Sequence, residues 1–167
     1  MAEQALRTDA EFEKSYEKYW LYVYRLCYSY MKNEADAEDC TEDVFVQILT
    51  SGLSFQDDAH EKKWLTVAAI NRCKDKIKSA AYRLTDSLDA DEAPELAAPE
   101  KKDYSDVTEA VLGLPQKLRE VIILYYYDGY KADELAEMTG RPASTVRNQL
   151  KDARDRLQFV LGGEKYE

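Results

Sequence analysis

Ser144, Arg147, Asn148 and Lys151 share one side of a predicted helix near the end of the chain. With 100° between successive residues, Val146, Leu150, Ala153 and Leu157 fall within about 60° of one another and must face inward. The four polar residues then point outward. Arginine can bind guanine edges through two hydrogen bonds, asparagine can do the same with adenine, and lysine can reach guanine or phosphate. Arg141, at the turn before this helix, and Arg154, near its flank, are placed to hold backbone phosphates. From Arg141 to Arg156 there are five basic and two acidic residues. Asp152 and Asp155 lie on or beside the outward face, so weak unaided binding to nucleic acid is expected, with a partner supplying most of the binding energy.

Other chemistries find little support. There is no glycine-rich phosphate loop, nucleophile elbow or HExxH pattern, so no enzymatic activity and no cofactor are predicted. Asp36, Asp39 and Asp43, flanked by Glu38 and Glu42, make a strongly acidic helix face. They lack the turns of a calcium loop, and no metal site is predicted. His60 reads as a solvent-exposed residue of a polar loop. Cys27, Cys40 and Cys73 are far apart in sequence, have no CxxC spacing and read as buried free thiols. The thirteen tyrosines fall mostly within predicted helices, as core or interface residues, and Trp64 reads as a packing anchor.

The elements that must position these residues are helical. Of 167 residues 45% are hydrophobic and 34% charged, with only six glycines and four prolines, which suits thin helical bundles rather than sheets. The expected fold is all-α, with two small helical domains over residues 9–83 and 104–161. Between them residues 84–103, LTDSLDADEAPELAAPEKKD, read as a flexible acidic tether of roughly 25 Å root-mean-square span. In the first domain, helices are predicted over Glu11–Met31, Ala35–Leu49 and Glu61–Ala81. Gly52 ends the second of these, and Ser54–His60 forms a loop. Ala37, Thr41, Val44 and Ile48 make one buried stripe, and Leu65, Ala69, Cys73 and Ile77 another. In the second domain, Ser105–Leu112 is a short helix. The next begins at Leu114-Pro115, buries Leu118, Val121, Ile122 and Tyr125, and closes at Asp128-Gly129. Ala132–Thr139, a turn at Gly140 and Ala143–Val160 then have the helix-turn-helix layout.

The net charge of −10 argues against a free-standing nucleic-acid binder, but its distribution is uneven. Residues 61–83 hold seven basic and two acidic side chains, whereas residues 1–60 hold five and thirteen. A protein that docks on a large partner and touches DNA through limited surfaces fits this alternation. No apolar run is long enough to span a membrane and the N-terminus has no signal-peptide pattern, so a cytoplasmic location without membrane insertion is expected.

Leu114–Leu157, LPQKLREVIILYYYDGYKADELAEMTGRPASTVRNQLKDARDRL, resembles the fourth domain of extracytoplasmic-function sigma factors, the smallest members of the sigma-70 family. The resemblance implies a sigma factor that directs core RNA polymerase to promoters. Its helix-turn-helix would read the −35 element through Arg141, Ser144, Thr145, Arg147, Asn148, Lys151 and Arg154. Ala35–Leu49, ADAEDCTEDVFVQIL, is similar to the family's core-binding helix, which grips the clamp helices of the polymerase β′ subunit. Asp39, Glu42, Asp43, Phe45 and Gln47 fall at its interface positions. Trp64–Ile77, WLTVAAINRCKDKI, looks like the helix that meets the −10 element. The loop Ser54–Lys63, with His60 and Lys63, and Asn71 match the region where a flipped base is held. Arg72, Lys76 and Arg83 would follow the phosphates of that strand. Family membership also implies contact with the β subunit and control by an anti-sigma factor. The sequence departs from the family at Gln149 and Asp152, where basic residues are frequent, and in the acidic loop at Asp57 and Asp58.

Two other readings use the same elements. One is a stand-alone helix-turn-helix regulator whose first domain is an effector or dimerisation module. The other is a purely protein-binding helical adaptor.

Overall fold

Asn33 and Gly52 delimit the helix that organises the first half of the chain. The computed structural model describes residues 9–84 and 106–162. The chain divides into two compact units, residues 1–100 and 101–167, each described separately below. The proposed tether, together with Tyr104 and Ser105, lies outside the described residues except for Leu84, which ends a helix.

The first unit holds α1 (Asp9–Met31), α2 (Glu34–Ser51) and α3 (Asp58–Leu84). Lys32 turns the chain out of α1 with φ of 61°, a left-handed conformation that its amide's 2.8 Å bond to the Tyr28 carbonyl holds in place. Asn33 then caps α2: its side chain accepts from the Asp36 amide at 2.9 Å and donates to the Asp36 carboxylate at 2.9 Å. Gly52, at φ 69°, ends α2 in the left-handed region that glycine enters without a Cβ clash. Asp57 caps α3 by accepting from the His60 amide at 2.8 Å. That cap starts the helix three residues before the predicted Glu61, so the loop is shorter than Ser54–His60 and its last three residues are helical.

Val23, Leu26 and Met31 of α1 are buried, as are all eight residues of the two predicted stripes on α2 and α3. Each fully buried aliphatic side chain contributes about 1.5–3 kcal/mol relative to exposure. The polar groups taken inside are matched: Ser15 donates to Glu61 at 2.5 Å, and Tyr22 bonds Thr66 at 2.7 Å. Among the described residues, no buried side-chain polar atom lacks a partner. Cys27, Cys40 and Cys73, one from each helix, are all free and fully buried.

The second unit holds α4 (Asp106–Leu112), α5 (Gln116–Ile122), α6 (Ala132–Thr139) and α7 (Ala143–Val160). Past Ile122 the chain continues as a π-helical segment, Ile123–Tyr127, closed by the Asp128 amide on the Ile123 carbonyl at 3.1 Å. The α-helical phase that placed Tyr125 on the buried side therefore ends at Ile122. Leu124 takes the buried place, and Tyr125 is 37% exposed. Leu118, Val121, Ile122, Leu135, Val146, Leu150 and Ala153 form the core. Arg119 is also buried there, and donates to the carbonyls of Leu112 at 3.3 Å and Leu114 at 2.9 Å. It thereby satisfies the carbonyl end of α4, which has no intrahelical donors left.

Candidate nucleic-acid interface

In the second unit, Gly140 (φ 71°) breaks α6 from α7, and Pro142 at the N-cap of α7 fixes the entry of the second helix. With Val146, Leu150 and Ala153 buried, Ser144, Arg147, Asn148 and Lys151 are exposed on the same helix, and Thr145 is half-buried at its edge. Arg154 is exposed and donates to the Tyr126 hydroxyl at 3.0 Å. The acids of this helix lie within reach of its bases. Lys151 pairs with Asp155 at 3.1 Å, and Arg156 with Asp152 at 3.2 Å. Arg147 sits 3.8 Å from Asp133 of α6. These are exposed pairs, worth well under about 1 kcal/mol each, and phosphate can displace them.

Arg141 is a different case. Its guanidinium forms an ion pair with Glu120 of α5 and donates to Gln149 at 3.1 Å. The arginine side chain is 14% exposed and the glutamate fully buried. Arg141 is therefore committed to fixing the turn and α7 on α5, and is not on the outward face. Sequence reasoning missed Glu120, a charged residue on an apolar helix. The signal available was an acid inside the run LREVIIL, where a buried position requires a basic partner.

In the first unit, the acidic face of α2 and the basic flank of α3 meet each other. Asp43 accepts from Arg72 at 2.7 Å, and Lys76 lies 3.3 Å from both Asp36 and Asp39. The hydrogen bond to Asp43 holds the Arg72 pKa above its ordinary value. Burial disfavours the Lys76 charge, but Asp36 and the nearby Cys40 sulfur more than offset this and raise its pKa. Glu42 accepts from the Tyr16 hydroxyl at 2.8 Å and from the Trp20 indole at 3.1 Å, and Trp20 in turn stacks on Tyr24 at 5.0 Å. Gln47 is exposed.

Phe45 does not belong with these residues. It is 1% exposed and packs edge-on against Tyr16 and Phe12 of α1 at centroid distances of 5.1 and 6.4 Å. The apolar residue that α2 does present is its neighbour Val46, 54% exposed. Its signal was present in the sequence as a valine among polar surface residues.

At the other end of the unit, Glu11, Leu53, Ser54, Phe55, Asp57, Asp58 and Glu61 line a concavity of about 290 Å³. His60 is exposed beside it; its ring nitrogen accepts from the Gln56 amide at 3.2 Å, and Phe55 contacts its ring edge-on at 5.2 Å. Phe55 also packs on Trp64 at 5.9 Å. Lys63 is half-buried and Asn71 exposed, and neither lines the concavity. Arg83 is in the last turn of α3, and its side chain lies outside the described residues.

Comparison with known proteins agrees with this division. Residues 16–92 match the family model described as Sigma-70 region 2, and residues 104–157 match Sigma-70, region 4. The RNA polymerase sigma factor SigV of Bacillus subtilis is 30% identical over 145 residues, covering 84% of this chain and 85% of that protein. The ECF RNA polymerase sigma factor SigW of the same organism is 27% identical over 154 residues, covering 83% and 82%. Among solved structures, the sigma factor RpoE from Bartonella quintana, in complex with the anti-sigma factor NepR, superposes with a TM-score of 0.75. It is 22% identical, with 93% of this chain and 99% of that one covered. CnrH, in complex with the cytosolic domain of CnrY, superposes with a TM-score of 0.65 at 23% identity, covering 98% and 96%. No described helix is long and apolar enough to cross a membrane. With matches to the region 2 and region 4 models and a relative 30% identical over 85% of its length, this chain belongs to the sigma-70 family as an extracytoplasmic-function sigma factor, which directs RNA polymerase to promoters.

Proposed function

We propose that this sigma factor divides promoter recognition between its two units, over residues 9–83 and 104–161, with residues 84–103 as the tether. The second unit reads the −35 duplex through Ser144, Arg147, Asn148 and Lys151, with Thr145 and Arg154 at the margins. The observation that carries this is the exposed polar side of α7 opposite its buried Val146–Leu150–Ala153 stripe. Arg141 acts here as the anchor of the turn.

The first unit docks on core polymerase through α2. Asp39, Glu42, Asp43 and Gln47 meet a basic surface on the β′ clamp helices, with Val46 in place of Phe45 as the apolar contact. Arg72 and Lys76 then exchange their internal carboxylate partners for the phosphates of the −10 strand. The carboxylates Asp43 and Asp39, 48% and 70% open to solvent, support the exchange, because water screens their pairing with Arg72 and Lys76. His60, Lys63, Asn71 and Arg83 complete the strand-facing set, and the concavity by Phe55 holds an unstacked base. The chain performs no chemistry of its own, needs no cofactor and works in the cytoplasm. The β subunit is a further contact, and an anti-sigma factor covers these surfaces when the protein is idle.

The test is gel filtration with purified core polymerase. Wild type is expected to co-elute, and an Asp39→Arg/Asp43→Arg variant with native circular dichroism to lose the association. Co-elution of both would move the interface away from α2.

A further inference from the structure

A column of aromatic rings, Phe12, Tyr16, Trp20, Tyr24 and Tyr28, runs along one side of α1 at four-residue spacing, and promoter recognition uses none of them. Phe12 and Tyr16 are 5.8 Å apart between centroids, Tyr16 and Trp20 6.4 Å, and Tyr24 and Tyr28 6.2 Å. Trp20 and Tyr24 stack at 5.0 Å with 8° between their planes. The bundle buries Tyr19 and Tyr30 on its inner side, whereas every ring of the column stays partly open to solvent. At 1.5 Å of rise per residue the column is about 24 Å long, some four turns of a helix.

The column is tied to the acidic face of α2 through Glu42. The Tyr16 hydroxyl and the Trp20 indole both donate to Oε1 of Glu42, at 2.8 and 3.1 Å. Oε2 takes no partner among the described residues. An exposed glutamate ordinarily samples many rotamers and loses that freedom on binding. Here two donors from α1 have already fixed the carboxylate, with one oxygen held and the other offered. The exposed acids of α2 thereby fall into two rows. Asp39 and Asp43 face the Lys76 and Arg72 cations of α3. Glu42, with Glu38 one turn before it, forms the row on the side of α1.

We infer that the aromatic column and Glu42 form a docking surface for an arginine-bearing helix of core RNA polymerase, with Tyr16 and Trp20 as the residues that position Glu42 for it. The inference rests on the reading that α2 docks on core polymerase, and extends that surface onto α1. Charge selects the occupant. α2 carries six acids and no base. Glu13 and Glu17 of α1, both exposed, lie about 20° and 60° from Trp20 around the helix axis and border the column. Open aromatic rings also suit nucleic-acid bases, but these carboxylates repel the phosphates that come with them. An arginine satisfies both parts of the surface. Its planar, weakly hydrated guanidinium lies against aromatic rings and pairs with a carboxylate in one geometry. The length of the column and its run beside α2 match a helix laid along the two.

The test is hydroxyl-radical footprinting of the full chain, free and bound to purified core polymerase, read by peptide mass spectrometry. Oxidation of Trp20 and Tyr24 should fall several-fold in the complex without promoter DNA. In parallel, a Tyr16→Phe/Trp20→Phe variant keeps every ring and removes both donors to Glu42. With unchanged circular dichroism and thermal midpoint, it should bind core polymerase about 10-fold more weakly, the loss expected when a charged hydrogen-bonded group is released. Glu42→Gln should weaken binding by a similar factor, and the three substitutions together should be no worse than either change alone, since all act through one carboxylate. Protection of the α2 peptide with Trp20 as reactive as in the free chain would overturn the inference and leave α2 docking in place. An unprotected α2 peptide would overturn both. Protection of Trp20 that appears only on adding promoter DNA would overturn the choice of a protein helix, and wild-type affinity in the double variant would overturn the positioning role.

Discussion

The buried Glu120–Arg141 pair decides whether Arg141 is an anchor or a phosphate contact, and Glu120→Gln tests it directly. The substitution keeps shape and removes one charge. Glu120 is fully buried, so the Arg141 guanidinium is left facing a neutral amide in a site where it is only 14% exposed. Breaking a buried pair from one side costs about 3–5 kcal/mol, because the remaining charge is uncompensated. Arg141 keeps its bond to Gln149 and some access to water, which places the expected loss near the lower end, about 3 kcal/mol. That shifts the folding equilibrium of the second unit more than about 100-fold. The protein supplies two separate readouts. Both tryptophans, Trp20 and Trp64, lie in the first unit, so indole fluorescence follows that unit, whereas far-ultraviolet circular dichroism follows both. In urea the variant should lose part of its ellipticity early while its fluorescence transition stays in place. A Glu120→Leu/Arg141→Met pair should recover most of the loss, since a well-packed apolar pair can replace a buried ionic one. A stability change below about 1 kcal/mol for Glu120→Gln would mean that Arg141 is solvated and available to DNA, and would refute the anchor assignment.

Three further outcomes are expected. Phe45→Ala should destabilise the first unit by about 3–5 kcal/mol, read by tryptophan fluorescence, whereas Val46→Asp should leave stability within about 0.5 kcal/mol and weaken association with core polymerase. Arg147→Ala in the holoenzyme should cost about 1–3 kcal/mol and relax base preference at one −35 position. Lys151→Ala should instead weaken all sequences alike and reduce the salt slope of binding by about one, measured by mobility shift over a salt series. The Tyr16 pKa is raised above the ordinary 10.0, first by its hydrogen bond to Glu42 and then by burial. The stability this contributes is fully present below pH 10.0 and is lost as pH rises through the higher folded value. Tyr16→Phe should flatten that alkaline limb in a fluorescence-monitored titration of stability.

Much of this architecture is legible in residue order because helices have one dominant periodicity. The Leu65–Ala69–Cys73–Ile77 and Ala37–Thr41–Val44–Ile48 stripes, the left-handed Gly52 and Gly140, and the outward set on α7 all follow from 3.6 residues per turn and from glycine's freedom at positive φ. The exposure of Ser144, Arg147, Asn148 and Lys151 was readable for the same reason. A helix with one buried stripe leaves its opposite side to solvent, whatever the rest of the chain does.

The interface assignments on α2 and α3 needed more than periodicity. An angle about a helix axis becomes core or surface only once the neighbouring helices are placed. α2 packs against both α1 and α3, so its buried arc is wider than one stripe, and Phe45 fills the side turned to Phe12 and Tyr16. The charge blocks were plain in the sequence, but that the acids of α2 answer the bases of α3 depends on two helices meeting across 29 to 37 residues of chain. The Glu120–Arg141 pair has the same origin. Composition, local periodicity and turn chemistry were enough for the fold class, the helix-turn-helix and its outward residues, because these depend on short-range geometry. Which charges are consumed internally and which aromatic ring of α2 is buried was decided only by tertiary packing, because those contacts join residues that no local rule relates.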